Sequence, residues 1–580
     1  FDRFTGYWWA EKRAASGNFC LMYLEVDEER VPRVELSSLD FDRATEAHRY
    51  PFVGKANAES VPRVVEVPPP PVLSSPIGPA DVEALRRWAT FDEKPAWAGF
   101  NLRSAYPWAE YVVRAGWTKR ADYFWLGLLD RKQHHMAIVV VNAVSGDYFT
   151  LHEEIRQKYW INFPHEFLFV ESTEDVGWMV FLSEETGFQH VRSKKFLFSE
   201  KKVLEDHSCT SGAWVVKKIH GLDEARGTVF FSGTMDTPLE CHLYATTISP
   251  GGPIRRLTPA GHNCSSFALH PSFEFCAFNF SALNAPHQAA VARIDLAQAG
   301  DAGATLVAAI DIPQRHPSYV PSWGVESPEL FTMEIEGITH FGYVYLPTDG
   351  STGPFPTVLY VYGGPHVQLV TNDFTAKHAY RHQLLRSLGY AVVLFDGRGS
   401  FNRGLAFEGA LHGNMGDLEL QDQVSALELL ISRGIVDRSR IAISGWSYGG
   451  YLTLMALAKR ADLFKLGVAG APVTDWRGYD TAYTERYMGL ADINAAGYTS
   501  SSVLSHVRGL PDEDDRVVVV ASLLDENVHV NHTMELVAEM VKEGKPHRLV
   551  VFPNERHGLR KVKSRLFFEK AFFGFLMKNL

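Results

Sequence analysis

Cysteine is scarce in this chain and follows no pattern. The 580 residues include five cysteines, none beyond residue 276 and none in a C-x-x-C pair: Cys20, Cys209, Cys241, Cys264 and Cys276. An odd and sparse set argues against a disulfide framework and for a reducing compartment. We therefore predict a cytoplasmic protein.

Long apolar runs and an excess of positive charge are also absent. Runs such as Val517–Leu524 stop near eight residues, whereas a helix needs roughly 20 to span a bilayer. The net charge is −11, and lysine and arginine are scattered, so no basic face is offered to nucleic acid or anionic lipid. We expect neither nucleic-acid nor membrane binding.

An initiator methionine is missing as well. The sequence opens at Phe1 and runs at once into an aromatic, strand-like segment, Phe4–Trp9. That opening is typical of a sequence that starts within a fold, so a missing signal peptide decides nothing. We expect the first domain to be N-terminally incomplete in this sequence.

The length calls for at least two domains, and residues 1–312 read as the first. Short β-rich runs recur in pairs there, and the third and fourth pairs start about 45 residues apart, which favours a β-propeller over an all-β sandwich. The stretch Val61–Pro79 is proline-rich and is predicted to be a loop or linker. The paired runs are Tyr123–Leu129 with Met136–Val141, Leu168–Glu171 with Trp178–Leu182, Thr228–Ser232 with His242–Thr247, and Phe273–Phe280 with Ala289–Ile294.

Residues 313–580 read as a second, α/β domain, joined to the first by the Pro- and Ser-containing segment Asp311–Pro328. Continuous apolar runs predict strands buried on both faces of a parallel sheet. Their alternation with helical patterns predicts a doubly wound architecture. The strand candidates are Thr357–Tyr362, Ala391–Phe395, Arg440–Ser444, Leu466–Ala469, Val517–Ala521 and Leu549–Phe552; the helix candidates are Ala376–Ser387, Leu418–Ser432, Gly450–Ala461 and His532–Lys542.

A G-x-S-x-G motif, Gly445–Gly449, lies between a predicted strand and a predicted helix. That setting holds a serine hydroxyl on a sharp turn above the sheet of an α/β-hydrolase. The glycines leave room where strand and helix approach closely. We predict Ser447 as a nucleophile, and the alternative is a buried serine in a tight turn.

A nucleophilic serine needs a histidine base and an acid that orients it, in the chain order Ser, acid, His in this fold. Asp525 follows the strand Val517–Ala521, and His557 follows the strand Leu549–Phe552. We predict Asp525 as the acid and His557 as the base. Glu526 and His529 lie nearby and compete for these roles.

The oxyanion of acyl transfer needs hydrogen-bond donors. The backbone N–H of Tyr448 follows the nucleophile and is one candidate. The loop that starts at Tyr362 and continues as Gly-Gly-Pro365 occupies the position of the second donor. The alternative is a tight turn with Tyr362 packed in the core.

No metal or cofactor is expected. The adjacent pair His134 and His135 lies on a predicted strand, where neighbouring side chains point to opposite faces and do not chelate one ion. We interpret this pair as surface histidines.

Several segments resemble the prolyl oligopeptidase family, dipeptidyl peptidase IV branch, and others resemble its subgroup of dipeptidyl peptidases 8 and 9. The resemblance covers nearly the whole chain. The branch segments are Val361–Pro365, Asp396–Ser400, Gly445–Gly450, Gly470–Trp476, Tyr483–Met488 and Asp525–His529; the subgroup segments are Val367–Val370, Phe407–Ala410 and Pro553–His557; the first part contributes Phe1–Trp9, Arg114–Thr118 and Asp236–Glu240.

The resemblance implies a serine exopeptidase that releases N-terminal dipeptides with Pro or Ala second. It implies that the Tyr362 hydroxyl binds the oxyanion and that Asn527 holds the substrate's penultimate carbonyl. An aromatic-lined slot suits a flat, rigid proline ring. The residues implied to wall that slot are Val473, Trp476, Tyr479, Tyr483 and Val528. Peptides with a free N-terminus are the implied substrates, and a homodimer is the implied assembly.

The family binds the substrate's ammonium with a glutamate pair, which the resemblance places just before Phe1. We expect this anchor upstream, and we interpret the adjacent acids in the chain, Glu28-Glu29, Glu153-Glu154 and Glu184-Glu185, as solvated faces. Two other functions stay open: an endo- or acylaminoacyl-peptidase of the same superfamily, and an interaction protein with an idle site.

Overall fold

The computed structural model describes residues 6–36, 45–71, 80–84, 100–171, 173, 175–297, 303–311 and 324–580. The predicted joint Asp311–Pro328 falls mostly outside these residues. Among the described residues, no helix has the length and apolar character that crossing a bilayer requires.

The first part of the chain is built from small antiparallel sheets. One three-stranded sheet has the order β1-β2-β5, one hairpin pairs β3 with β4, and four four-stranded sheets follow in chain order: β6 to β9, β10 to β13, β14 to β17 and β18 to β21. The strands are β1 (Tyr7–Trp9), β2 (Phe19–Asp27), β3 (Arg33–Leu36), β4 (Glu46–Arg49), β5 (Glu59–Val67), β6 (Ala109–Trp117), β7 (Tyr123–Asp130), β8 (His135–Asn142), β9 (Tyr148–Ile155), β10 (Phe167–Glu171), β11 (Val176–Ser183), β12 (His190–Leu197), β13 (Lys202–Ser208), β14 (Val216–Asp223), β15 (Thr228–Gly233), β16 (His242–Thr247), β17 (Arg255–Arg256), β18 (Asn263–Leu269), β19 (Phe275–Ala282), β20 (Ala285–Ile294) and β21 (Ala304–Asp311).

These four-stranded sheets are the blades of a β-propeller. In each sheet, strands that follow one another in the chain pair antiparallel, as in a blade. The middle strands are buried on both faces: six consecutive residues of β7 and six of β8 are buried. Such burial follows when each sheet packs between its two neighbours. The predicted propeller is confirmed.

The predicted loop at Val61–Pro79 is wrong in its first third. Residues of β5 pair with β2 in continuous antiparallel register, with Pro62 opposite Leu24. Proline has no N–H to donate, and β5 lies at the end of its sheet, where a strand tolerates that loss. The remainder, Pro68–Pro71, has no regular structure, and residues 72–79 lie outside the described residues.

The second part contains one eight-stranded sheet in the order β22-β23-β25-β24-β26-β27-β28-β29. Six neighbouring strands run parallel: β25, β24, β26, β27, β28 and β29. The strands β22 and β23 add an antiparallel edge beside β25. This is the predicted α/β-hydrolase sheet. Its strands are β22 (Glu329–Ile335), β23 (Ile338–Tyr345), β24 (Phe355–Tyr360), β25 (Ala391–Asp396), β26 (Val436–Trp446), β27 (Leu466–Gly470), β28 (Val517–Ser522) and β29 (Arg548–Phe552).

The helices lie mainly in this second part. The described α-helices are α1 (Leu102–Ala105), α2 (Tyr380–Ser387), α3 (Leu405–Glu408), α4 (Leu418–Ser432), α5 (Tyr448–Lys459), α6 (Thr481–Met488), α7 (Ala495–Ser500), α8 (Asn531–Lys542) and α9 (Val562–Asn579). Short 3₁₀ turns occupy Phe374–His378, Gly409–Leu411, Trp476–Gly478 and Val503–Gly509. Ten of the twelve residues of α5 are buried, so this helix forms the centre of the core on one face of the sheet.

Buried polar contacts join the two parts. Arg131, in the turn between β7 and β8, donates through Nε and Nη2 to the Glu485 carboxylate at 2.6 and 2.9 Å. The Gly54 N–H donates to the same carboxylate at 2.8 Å. The Glu485 side chain is fully buried on α6, and a buried carboxylate requires such partners. The helix that carries Tyr483 is therefore held by the propeller.

Candidate active site

Ser447 lies at the turn between β26 and α5. Its backbone has φ 59° and ψ −116°, a sparsely populated conformation for a residue with a side chain. A Cβ on Gly449 would come within 2.1 Å of Val361 O, and one on Gly450 within 2.4 Å of Gly470 O. Only glycines fit these positions, so the sequence folds here into a turn that leaves the serine side chain half-exposed.

Asp525 and His557 follow neighbouring parallel strands, β28 and β29, so the edge of the sheet brings them together. His557 Nδ1 lies 2.9 Å from Asp525 Oδ2. Asp525 is 1% exposed, and its Oδ1 accepts the N–H groups of Asn527 and Val528 at 3.0 and 2.9 Å. A carboxylate accepts hydrogen bonds, so this contact places the imidazole proton on Nδ1 and leaves Nε2 to act as a base.

The two competing residues have other partners. Glu526 lies 3.5 Å from Arg556 in an ion pair that is about one-third exposed. His529 is buried, with its ring centroid 4.3 Å from that of Tyr50, and burial lowers its pKa. Of these three acidic or basic candidates, Asp525 is the one that contacts the His557 imidazole.

Two candidate donors lie beside Ser447. Tyr448 is the first residue of α5, where an N–H has no acceptor within the helix. Its side chain is buried, and its hydroxyl donates to Glu419 at 2.6 Å, which fixes the start of the helix. The Tyr362 ring lies 5.8 Å from the Tyr448 ring. Burial raises the pKa of Tyr362, opposed by a hydrogen bond with Tyr483.

The aromatic residues implied by the resemblance form one cluster. The Trp476 and Tyr483 rings are stacked at 5.9 Å, and the Tyr479 ring meets Tyr483 edge-on at 5.4 Å. Val473 and Val528 are buried, at 2% and 4% exposure. These five side chains pack in one apolar cluster, whose aromatic members are called the aromatic wall here. The Tyr479 hydroxyl donates to Asn527 Oδ1 at 2.6 Å, which brings Asn527 to the same wall.

Sequence reasoning missed Tyr50, whose hydroxyl donates to Asn527 O at 2.9 Å. The two residues are 477 positions apart, and Tyr50 belongs to no motif. No local signal points to such a contact.

Sequence reasoning also misjudged two of the adjacent acids. Glu28 and Glu29 are exposed as expected, but Glu154 and Glu184 are each only 6% exposed. The reason is that both acids pack against Arg156: its Nε donates to Glu154 at 2.6 Å, and its Nη1 lies 3.8 Å from Glu184.

Glu184 forms a buried acidic pair with Glu408 on α3. Asn162 Nδ2 donates to both carboxylates, at 3.1 and 3.0 Å. His366, which follows the Tyr362 loop, lies 3.1 Å from Glu408 Oε1. Burial raises the pKa of Glu184 to about 7. Burial, reinforced by Glu184, raises the pKa of Glu408 to about 8. The pair therefore retains a proton near neutral pH.

That retained proton should make stability fall as pH rises. The folded chain holds the proton up to about pH 8, whereas an unfolded glutamate releases it near pH 4.3. The stabilisation by this proton is complete at a pH below the pKa of the unfolded chain, and it is lost as pH rises through the pKa of the folded chain. One such proton contributes about 1.4 kcal/mol per pH unit within this window. The measurement is the free energy of unfolding from denaturant titrations at pH 5 to 7. In the Glu408→Gln variant, this free energy should fall less steeply with pH than in wild type, by about this amount per pH unit.

The matched control is Glu428→Gln, on the exposed face of α4, where the carboxylate pairs with Arg438 in solvent. This variant should keep the wild-type slope. If the free energy of unfolding changes with pH equally in Glu408→Gln and in wild type, the pair does not retain the proton.

Within the described part of the chain, no group of three or more His, Cys, Asp or Glu side chains could hold a metal ion. His135 Nε2 instead lies 2.8 Å from Glu153, and the His134 ring lies 5.7 Å from that of His412.

Two family models match the chain. The model of the prolyl oligopeptidase family matches residues 376–580. The model of the dipeptidyl peptidase IV N-terminal region matches residues 1–287.

Whole proteins are also similar to it. Dipeptidyl peptidase 8 of Mus musculus is 36% identical over 100% of this chain and 69% of its own length. Dipeptidyl peptidase 8 of Homo sapiens is 35% identical over 100% of this chain and 68% of its own length. A probable dipeptidyl-aminopeptidase B of Trichophyton verrucosum is 29% identical over 63% of this chain and 41% of its own length.

Proposed function

The chain belongs to the prolyl oligopeptidase family, in the branch of dipeptidyl peptidases 8 and 9 that its motifs predict, and we propose on that premise that Ser447, Asp525 and His557 are its catalytic triad. It is a serine dipeptidyl peptidase. The observation that carries the triad assignment is the 2.9 Å contact between His557 Nδ1 and Asp525 Oδ2 at the sheet edge that also presents Ser447.

Acyl transfer then proceeds in two steps. His557 Nε2 takes the proton of Ser447 Oγ as the oxygen attacks the carbonyl carbon of the substrate's second residue. The imidazolium, stabilised by Asp525, gives that proton to the leaving amine, and the dipeptide stays as an ester on Ser447. Water, deprotonated by His557, attacks the ester; the bond to Ser447 Oγ breaks, His557 returns the proton to that oxygen, and the dipeptide leaves.

The oxyanion of each tetrahedral intermediate is bound by the backbone N–H of Tyr448 and by the hydroxyl of Tyr362. Both donors are fixed before the reaction: one by the start of α5, the other by packing against the Tyr448 ring at 5.8 Å. Preorganised donors stabilise charge that appears only in the transition state.

The second substrate residue is proposed to be Pro or Ala. A pyrrolidine ring is flat and rigid, and it suits a slot walled by the stacked rings of Trp476 and Tyr483. Val473, Tyr479 and Val528 complete the wall. Asn527 is proposed to hold the penultimate carbonyl through its side-chain amide, because Tyr479 already occupies its Oδ1.

Chromogenic amides test the proposal. Protein expressed from the complete gene should release p-nitroaniline from Gly-Pro and Ala-Pro amides and should ignore the N-acetylated forms, because a free ammonium is required. Equal cleavage of the acetylated forms would favour an acylaminoacyl- or endopeptidase. Folded protein that cleaves none of them would favour an interaction protein with an idle site.

We further propose a division between the propeller and the hydrolase at residues 312 and 313, and a homodimer. The dimer is supported by exposed apolar side chains near the edge strand β29: Met534, Val541, Leu549, Val562 and Phe567. Sedimentation velocity that finds only the monomer at micromolar concentration would contradict it. All five cysteines lie in described residues and none is in a disulfide; the cytoplasmic location stays a prediction.

A further inference from the structure

The paired strands β3 and β4, together with residues 50–53, are called the arm here, and the arm lies against the two loops that carry Asp525 and His557. Tyr50 contacts the Asp525 loop through Asn527 O. Glu46 accepts two hydrogen bonds from Arg556, the neighbour of His557, at 2.9 and 2.8 Å. The propeller thus touches both loops.

The two contacts differ in burial. The Glu46 and Arg556 side chains are 40% and 31% exposed, and ion pairs so close to solvent contribute little. Tyr50 is 9% exposed, and a hydrogen bond made in a buried position is costly to break. Of the two contacts, the one made by Tyr50 is therefore expected to contribute more to holding the Asn527 backbone in place.

Tyr50 is rigidly held. Its ring centroid lies 4.3 Å from that of His529 and 4.9 Å from that of Phe52. The next residues of the arm pair with the loop of the aromatic wall: the Val53 N–H donates to Tyr479 O at 3.0 Å, and Pro51 O accepts the Thr481 N–H at 2.9 Å. The arm and the wall therefore form one continuous hydrogen-bonded unit.

Asn527 is held at three atoms. Its N–H donates to Asp525 Oδ1, its carbonyl accepts from Tyr50, and its side-chain Oδ1 accepts from Tyr479. An amide whose oxygen is already engaged presents its NH₂ group as the donor. The backbone bond from Tyr50 fixes where that NH₂ group stands.

We propose that Tyr50 is a positioning residue for substrate binding: it fixes the backbone of Asn527 so that the side-chain amide meets the penultimate carbonyl of the peptide. This inference rests on the proposed function, in which Asn527 binds that carbonyl. Loss of the Tyr50 contact should change substrate affinity, and so KM, because the penultimate carbonyl is bound equally in the ground state and in the transition state.

The test is a double-mutant cycle in the full-length protein with a Gly-Pro amide. Tyr50→Phe removes one hydroxyl and keeps the ring, and KM should rise about three- to tenfold, the range of one hydrogen bond, with kcat changed less than about twofold. In an Asn527→Ala background, Tyr50→Phe should have no further effect on KM, because no side-chain amide is left to position.

The matched control is Tyr345→Phe. Tyr345 is 1% exposed, and its hydroxyl donates to a backbone carbonyl, Ala376 O, at 2.8 Å in the hydrolase. Its KM should stay at the wild-type value. A second readout is calorimetric binding of the tripeptide Gly-Pro-Ala in a Ser447→Ala background, where Tyr50→Phe should raise Kd by the same factor as KM.

The outcomes separate the two ideas. If Asn527→Ala raises KM and Tyr50→Phe does not, or if the two effects multiply, the positioning role is overturned and the proposed function stands. If Asn527→Ala leaves KM and the tripeptide Kd unchanged, both the binding role of Asn527 and this inference are overturned.

Discussion

Replacing Ser447 with alanine should lower kcat on a Gly-Pro amide by on the order of 10⁶ and leave the fold intact. The hydroxyl is the proposed attacking atom. The backbone contacts of the elbow do not involve it: the Ser447 N–H donates to Gly470 O at 2.8 Å, and Ser447 O accepts from Tyr451 N at 2.9 Å. Alanine keeps both. The measurement is steady-state turnover, with thermal unfolding as the check on the fold.

The control is Ser439→Ala, an exposed serine on β26, the strand that leads into this elbow, and it should retain wild-type turnover. A phosphonylating probe of serine hydrolases should label wild type and this control but not Ser447→Ala. Turnover above a tenth of wild type in Ser447→Ala, or labelling at another serine, would refute the nucleophile.

Replacing Tyr362 with phenylalanine should lower kcat by about 10²–10³ with little change in KM. The hydroxyl is proposed to bind a charge that exists only in the transition state, so its loss affects the chemical step and not substrate affinity. The ring should stay in place, because phenylalanine keeps the ring that packs beside Tyr448.

The comparison variant is Tyr360→Phe, two residues earlier on β24, whose ring packs against His382 at 4.9 Å. It should behave as wild type. A rise in KM alone for Tyr362→Phe would mean that Tyr362 is a packing or binding residue, the alternative that the sequence leaves open.

The bounds of strands that are buried along their whole length were predicted well from the sequence. Buried parallel strands are continuous apolar runs, so β25 and β28 were located to within one residue, and α4 coincides with its prediction at Leu418–Ser432. The family and the two-part fold were also predicted correctly, because the motifs lie at strand ends that the fold brings together. Residue roles at those ends stay proposals.

What failed did so for physical reasons. β5 contains Pro62, and a proline argues against a strand unless that strand lies at the edge of a sheet. The sequence does not show that β5 is an edge strand, so the segment was predicted to be a loop. The buried Glu184 looked like a surface turn because its partners, Asn162 and Glu408, come from distant parts of the chain. Tyr50 was missed for the same reason: long-range contacts leave no local pattern.

The carboxylate of Glu485 has a consequence for how this protein can be recombined with its relatives. Its cation, Arg131, is supplied by a different half of the chain, 354 residues away. A chimera that takes its hydrolase from one relative and its propeller from another inherits this contact only if both parents carry the same pair. With a mismatched parent, α6 would keep a buried negative charge without its cation, and loss of one partner of a buried ion pair costs about 3–5 kcal/mol of stability. The two halves can therefore be exchanged without this cost only between parents that both carry the arginine and the glutamate.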